Sequence, residues 1–107
     1  MPLFSIVIPV YRGQPYLRGC VESLLEQETG DFETLLIDDG SPDQSGALCD
    51  ELAAGDPRLR AIHQPNSGVA SARNRGIREA RGRWLLFLDQ DDRFYPHTLS
   101  SICAALE

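Results

Sequence analysis

Two acidic clusters stand out as groups that could do chemistry. Asp38-Asp39-Gly40-Ser41-Pro42-Asp43 follows the apolar run Phe32 to Ile37. Asp89-Gln90-Asp91-Asp92 follows Leu85-Leu86-Phe87-Leu88. Carboxylates gathered in one place repel and raise one another's pKa unless a cation sits among them. A hard divalent ion with oxygen ligands resolves that conflict and keeps positions open for water and phosphate oxygens. Each cluster has a plainer reading: Asp, Gly, Ser and Pro build turns and helix caps, and an acidic run is often a solvated loop. Their matching places, each directly after a buried run, favour the functional reading. A carboxylate there is costly unless it is paired or coordinated. Extended backbone would point Asp89 and Asp91 to one side and Gln90 to the other. Two carboxylates would then converge on one metal-diphosphate unit.

A cation is expected opposite them. At about 100° per residue, Val69, Gly76 and Ala80 share one side of a helix, with Arg73 between them. A guanidinium in the stripe that faces a sheet must meet carboxylates or a ligand. The plain alternative is a structural salt bridge to a strand-end aspartate. Arg75, Arg78, Arg81 and Arg83 read as solvated charges. The same helix opens with Asn66-Ser67-Gly68, Ser67 being the expected N-cap. Its free N–H groups suit an anion, and Gly68 has no side chain to block approach. His63 and His97 lack partners at metal-ligand spacing and read as surface or loop residues. Cys20, Cys49 and Cys103 lack such spacing too and read as reduced core thiols of a cytoplasmic setting.

These groups need a frame. Leu3 to Val10, Phe32 to Ile37, Arg58 to His63 and Arg83 to Leu88 are expected strands. Gln14 to Glu28, Gln44 to Ala54, Ser67 to Arg81 and Pro96 to Leu106 are expected helices. Alternating strands and helices imply an α/β fold, a Rossmann-like three-layer sandwich with a mainly parallel sheet. The expected strand order is 3-2-1-4. The winding then reverses at strand 1, and ligands bind beyond the strands' carboxyl ends at such a point. Strand 4 would be left with an unpaired edge, open to self-association.

The chain has 107 residues, 42% of them hydrophobic and 24% charged, which suits one globular domain. The net charge of −6 argues against a nucleic-acid partner. No apolar run is long enough to span a bilayer, and the start does not resemble a signal peptide. All ten basic residues are arginine, which excludes lysine-dependent mechanisms. GxGxxG, GxxxxGK[ST] and GxSxG are absent.

Four segments together carry a resemblance: FSIVIPVY, LLIDDGSPDQS, NSGVASARNRG and WLLFLDQDDRFYP. Their order and content resemble the N-terminal part of family 2 glycosyltransferases with the GT-A fold, over nearly the whole chain. The resemblance implies donor-binding roles for Pro9, Val10, Tyr11, Asp38, Asp39, Gly68, Arg73, Asn74, Asp89 and Gln90. Asp89 and Asp91 resemble the family's Asp-x-Asp motif, with Asp91 as metal ligand; the acidic run also permits Asp92 in that role. The implied cofactor is Mn2+ or Mg2+. The implied donor is a nucleotide-diphosphate sugar, UDP-sugar first. Arg12 departs from the family's usual Asn.

Residues 1–107 are expected to be the donor and metal half of an inverting enzyme, a truncated GT-A domain. The acceptor half and general base are expected beyond Glu107, leaving the isolated chain inactive. A longer parent protein would work at the inner face of the membrane. The alternative is a non-catalytic nucleotide-binding or assembly module of the same origin. A nucleotidyltransferase is disfavoured because PVYRGQP has too little glycine after strand 1. A phospho-accepting receiver would need an acidic pair after strand 1 and a lysine.

Overall fold

The computed structural model describes residues 2–106. Strands β1 (Phe4–Val10), β2 (Phe32–Asp39), β3 (Leu59–Gln64) and β4 (Trp84–Phe87) alternate with four helices. These are α1 (Gln14–Leu25), α2 (Ser45–Gly55), α3 (Val69–Glu79) and α4 (Thr98–Leu106). Every strand pairing is parallel, as the alternation of elements implies, and the spatial order is the expected β3-β2-β1-β4.

Side chains of β1 alternate between two unequal cores. Phe4, Ile6, Ile8 and Val10 face Leu17, Val21 and Leu24 of α1, Cys49 of α2 and Leu99 of α4. Val7 faces the other way, with Leu35 and Ile37 of β2, onto Ala72 of α3. The molecule is therefore three layers, with three helices on one face and α3 on the other. Each fully buried Val, Leu or Ile contributes about 1.5–3 kcal/mol relative to exposure. The narrow α3 layer leaves Leu85 and Phe87 of β4 substantially exposed on its side. Among the described residues, no helix is long and apolar enough to cross a membrane.

Several boundaries differ from expectation. β2 runs two residues further, so Asp38 and Asp39 belong to the sheet. α1 stops at Leu25, which leaves Gln27 to serve as a tether. α3 is preceded by Gly68 at φ 98°, a conformation open to glycine, so Gly68 and not Ser67 holds the cap position. Ser67 instead donates its hydroxyl to the Pro65 carbonyl. α4 begins at Thr98, because Tyr95 to Thr98 form a turn closed by a 3.0 Å hydrogen bond.

α3 approaches β1 closely at Gly76, where any Cβ would collide with the Val7 side chain. Gly76→Val is expected to destabilise the fold by about 1–3 kcal/mol through overpacking, read as a lower urea midpoint. An unchanged midpoint would show that α3 can move off the sheet without loss.

Candidate functional site

The alternation of β2 divides the first acidic pair between the two faces. Asp38 stands opposite Val10 and His63, and Asp39 stands opposite Gln64. Asp38 therefore points to the α2 side. Its carboxylate meets His63 Nδ1 at 2.8 Å and accepts the Ser41 N–H at 3.1 Å. Asp39 points to the α3 side and closes the start of that helix. It accepts N–H groups from Ser67 and Gly68, each at 2.9 Å, and the Gln64 amide at 2.8 Å. The side chain of Asn66 adds a bond to the Asp39 carbonyl. Burial alone would raise the Asp39 pKa, but the Gln64, Ser67 and Gly68 donors outweigh it and hold the carboxyl below the ordinary aspartate value.

The second cluster is a turn and not an extended segment. The Asp92 N–H donates to the Asp89 carbonyl at 3.0 Å. Asp89, Asp91 and Asp92 thereby bring one carboxylate oxygen each within 4.8 Å of one another, all exposed. Their convergence comes from the turn, which corrects the expected alternation about Gln90. Gln90 instead bridges to β1: its amide donates to the Tyr11 carbonyl at 2.8 Å and accepts the Tyr11 N–H at 3.0 Å.

A row of side chains along α1 and just past its end holds this segment from below. Cys20 donates its thiol to the Asp89 carbonyl at 3.6 Å. Ser23 accepts the Phe94 N–H at 3.1 Å, and Gln27 bonds both Tyr95 and Leu99. The Cys20 thiol is pushed up to about 12, by burial first and then by the Asp92 and Asp91 charges, so it stays a neutral donor. All three cysteines are free, as expected, although Cys103 is only half-buried.

Arg73 does not sit in the middle of the packed stripe of α3. Ala72 and Gly76 are the buried residues, and Val69 is exposed. Arg73 lies on the flank of that stripe, next to β4, because α3 is centred over β1 and β2. Its guanidinium stacks 5.9 Å from the Phe87 ring and reaches Asp89 at 3.7 Å. This half-exposed ion pair is weak by itself, yet it puts positive charge beside the acidic turn. Asn74 falls on the exposed side of the helix.

These pieces surround one cavity of about 480 Å3. Its walls are Pro9, Val10 and Tyr11 at the end of β1, Asp39, the start of α3, and Asp89, Gln90 and Asp91. Of the residues expected from sequence, Asp38, Arg73, Asn74 and Asp92 do not line it. Asp38 is excluded by strand alternation, and Arg73 and Asp92 stand at its margin. Asn66, Val69 and Ala72 do line it and were not among the expected site residues. Their signal was the helix-start pattern around Ser67, read for its N–H groups and not for its side chains. His97 is an exposed loop residue, as expected, and pairs with Glu28; His63 is exposed but belongs to β3, where it meets Asp38 and Asp50.

The chain matches the family described as glycosyl transferase family 2 over residues 5–107. It is 47% identical over 92 residues to the uncharacterized glycosyltransferase EpsJ of Bacillus subtilis, covering 86% of this chain and 27% of that one. The fold superposes on S. aureus TarS (1-349) in complex with UDP-GlcNAc with a TM-score of 0.88 and 30% identity. That match covers 95% of this chain and 30% of TarS (1-349). The mannosyltransferase PcManGT of Pyrobaculum calidifontis, in complex with GDP-Man and Mn2+, shares the fold at a TM-score of 0.76 and 22% identity, over 87% of this chain and 28% of its own. The chain thus spans less than a third of each of these proteins.

Asp39→Asn is expected to cost about 1–3 kcal/mol at neutral pH, because a carboxylate accepting several N–H bonds is replaced by a poorer acceptor. A depressed folded-state pKa stabilises above the unfolded aspartate value and loses that contribution as pH falls through the folded value. The gap between variant and wild type should therefore narrow in acid, as read by urea unfolding at stepped pH. A gap that is constant with pH would remove the carboxylate charge from the account.

Proposed function

The chain belongs to glycosyl transferase family 2, and from that premise we propose that residues 1–107 form the donor-binding half of an inverting glycosyltransferase. Its donor is a nucleotide-diphosphate sugar, UDP-sugar first, used with Mn2+ or Mg2+. One observation carries this reading. A single cavity gathers the end of β1, the start of α3 and an acidic turn whose three carboxylates lie close enough to share an ion. The TarS neighbour bound to UDP-GlcNAc supports the donor class.

The donor set fits a hard divalent ion, since it is all carboxylate oxygen, exposed and clustered. Asp91 and Asp89 would hold the ion from the cavity side, and Asp92 from its margin. When bound, such an ion neutralises charge on the departing diphosphate. Pro9, Val10 and Tyr11 offer the wall for the base and ribose. Asp39 and the backbone around Gly68 offer polar groups to the nucleoside. Arg73 adds a mobile cation beside the diphosphate position, and Gln90 keeps β1 and the acidic turn in register. Asp38 and Asn74 have no direct part in this arrangement.

An inverting reaction needs a base for the acceptor hydroxyl. The base expected beyond Glu107 lies outside the described residues. The free thiols support the reading of a cytoplasmic setting, at the inner membrane face for a longer parent. The exposed Leu85 and Phe87 on β4 support self-association of the isolated chain at that edge.

Isothermal titration of UDP in the presence of Mn2+ tests the central claim. Binding is expected to require the metal and to weaken at least about tenfold in Asp91→Ala. Absence of UDP binding with and without metal would overturn it and leave the non-catalytic assembly module.

A further inference from the structure

His63 has no place in the donor cavity, yet it joins three elements directly beneath it. It stands on β3 opposite Asp38 of β2, on the face covered by α2. Its Nδ1 lies 2.8 Å from the Asp38 carboxylate, and its Nε2 lies 2.8 Å from Asp50 of α2. α2 is seated against this pair at Gly46, where a Cβ would come within 2.7 Å of the Asp38 carboxylate. From Asp38 the connection continues upward. Its second oxygen accepts the Ser41 N–H at 3.1 Å. The Ser41 hydroxyl accepts the Arg12 N–H at 3.3 Å and donates to the Val10 carbonyl at 3.5 Å. Val10 and Tyr11 line the cavity. An unbroken chain of hydrogen bonds thus runs from the imidazole to the wall assigned to the base and ribose.

We propose that His63 is a positioning residue for the donor cavity, and that its protonation state sets how tightly a nucleoside diphosphate is held. This rests on the donor-binding reading above and adds a regulatory device to that site. The imidazolium has two N–H donors and satisfies both carboxylates; the neutral ring has one donor and one acceptor. Loss of the proton therefore breaks one of the two bonds and sets a lone pair against a carboxylate. The bracket joining β2, β3 and α2 slackens at the root of the loop from Gly40 to Asp43. The groups facing the ring are Asp38 from β2 and Asp50 and Cys49 from α2. Cys49 is neutral, its thiol pushed up to about 12, by burial first and then by the Asp38 and Asp50 charges. The bond to Asp50, then the bond to Asp38, raises the His63 pKa above the ordinary histidine value. A raised folded-state pKa gives a contribution that is full below the ordinary value and lost as pH rises through the folded one. The change thus falls above the ordinary histidine range.

The test is UDP titration with Mg2+ from about pH 6 to about pH 8.5 on the wild type, His63→Gln and Asp50→Asn. NMR follows the His63 ring and the Ser41 amide in the same samples. Ionisation of UDP itself is common to every protein and cancels in the ratio of affinities. That ratio, wild type to His63→Gln, is expected to fall by about threefold or more as pH rises. Its midpoint should match the His63 titration and move to lower pH in Asp50→Asn. The Ser41 amide should titrate with the ring. A ratio that stays flat while the ring titrates, with UDP bound throughout, overturns this inference alone. No UDP binding at any pH overturns the donor-binding reading, and this inference with it. Asp50 is exposed, so its variant gives a result even if His63→Gln does not fold.

Discussion

In extended backbone, neighbouring side chains point to opposite faces, and at Asp38 and Asp39 that constraint organises the whole upper end of the molecule. Because β2 continues through both residues, one carboxylate goes to each side of the sheet. Asp39 receives two backbone N–H groups from the start of α3 and so sets where that helix begins. Asp38 receives His63 and Ser41 and so sets the loop that leads to α2. Both helices flanking β2 are thus anchored by adjacent carboxylates. The cavity lies on the Asp39 side because α3 covers only β1 and β2 there, leaving room above the end of β1.

The opposite wall has a different physical origin. A turn with three carboxylates repels itself, and its own closing bond, from the Asp92 N–H to the Asp89 carbonyl, is a single one. Further tethers come from Cys20 and Ser23 on α1 and Gln27 just beyond it, from below, and from Gln90 of the turn itself, which reaches Tyr11. These bonds use the Asp89 carbonyl, backbone groups of Phe94 and Tyr95, and the Gln90 side-chain amide, so none of them occupies a carboxylate of the turn. Arg73 offsets part of the charge from the margin of the cavity, beside Asp89. Its contact is long and half-exposed, which keeps the guanidinium available to a stronger anion. Rigid backbone with unspent carboxylates suits a site whose negative charge is completed by an incoming cation.

Coverage of the sheet is uneven. One face carries three helices and a core of large aliphatic residues; the other carries α3 alone. Leu85 and Phe87 of β4 pay for that asymmetry with exposed surface. The Arg73 guanidinium lies over Phe87 and shields part of it.

Apolar runs and their period, read along the sequence, were enough for the element order and the parallel sheet, and narrowed the strand arrangement to a few topologies that include the observed 3-2-1-4. Buried strands and amphipathic helices are local patterns, and right-handed crossovers leave few ways to assemble them. The ordered motifs were equally enough for the family, and the resemblance they carry implied eight of the eleven residues on the cavity wall, Asp39, Asp89 and Asp91 being legible from residue type and position as well. What the tertiary structure decided was direction. A shift of two residues at the end of β2 sent Asp38 away from the cavity, and a rotation of α3 put Arg73 at its margin. His63 gained both partners from other elements, β2 and α2, which no local spacing reveals. Strand ends and helix rotation depend on contacts between distant segments, and those contacts exist only once the chain has packed.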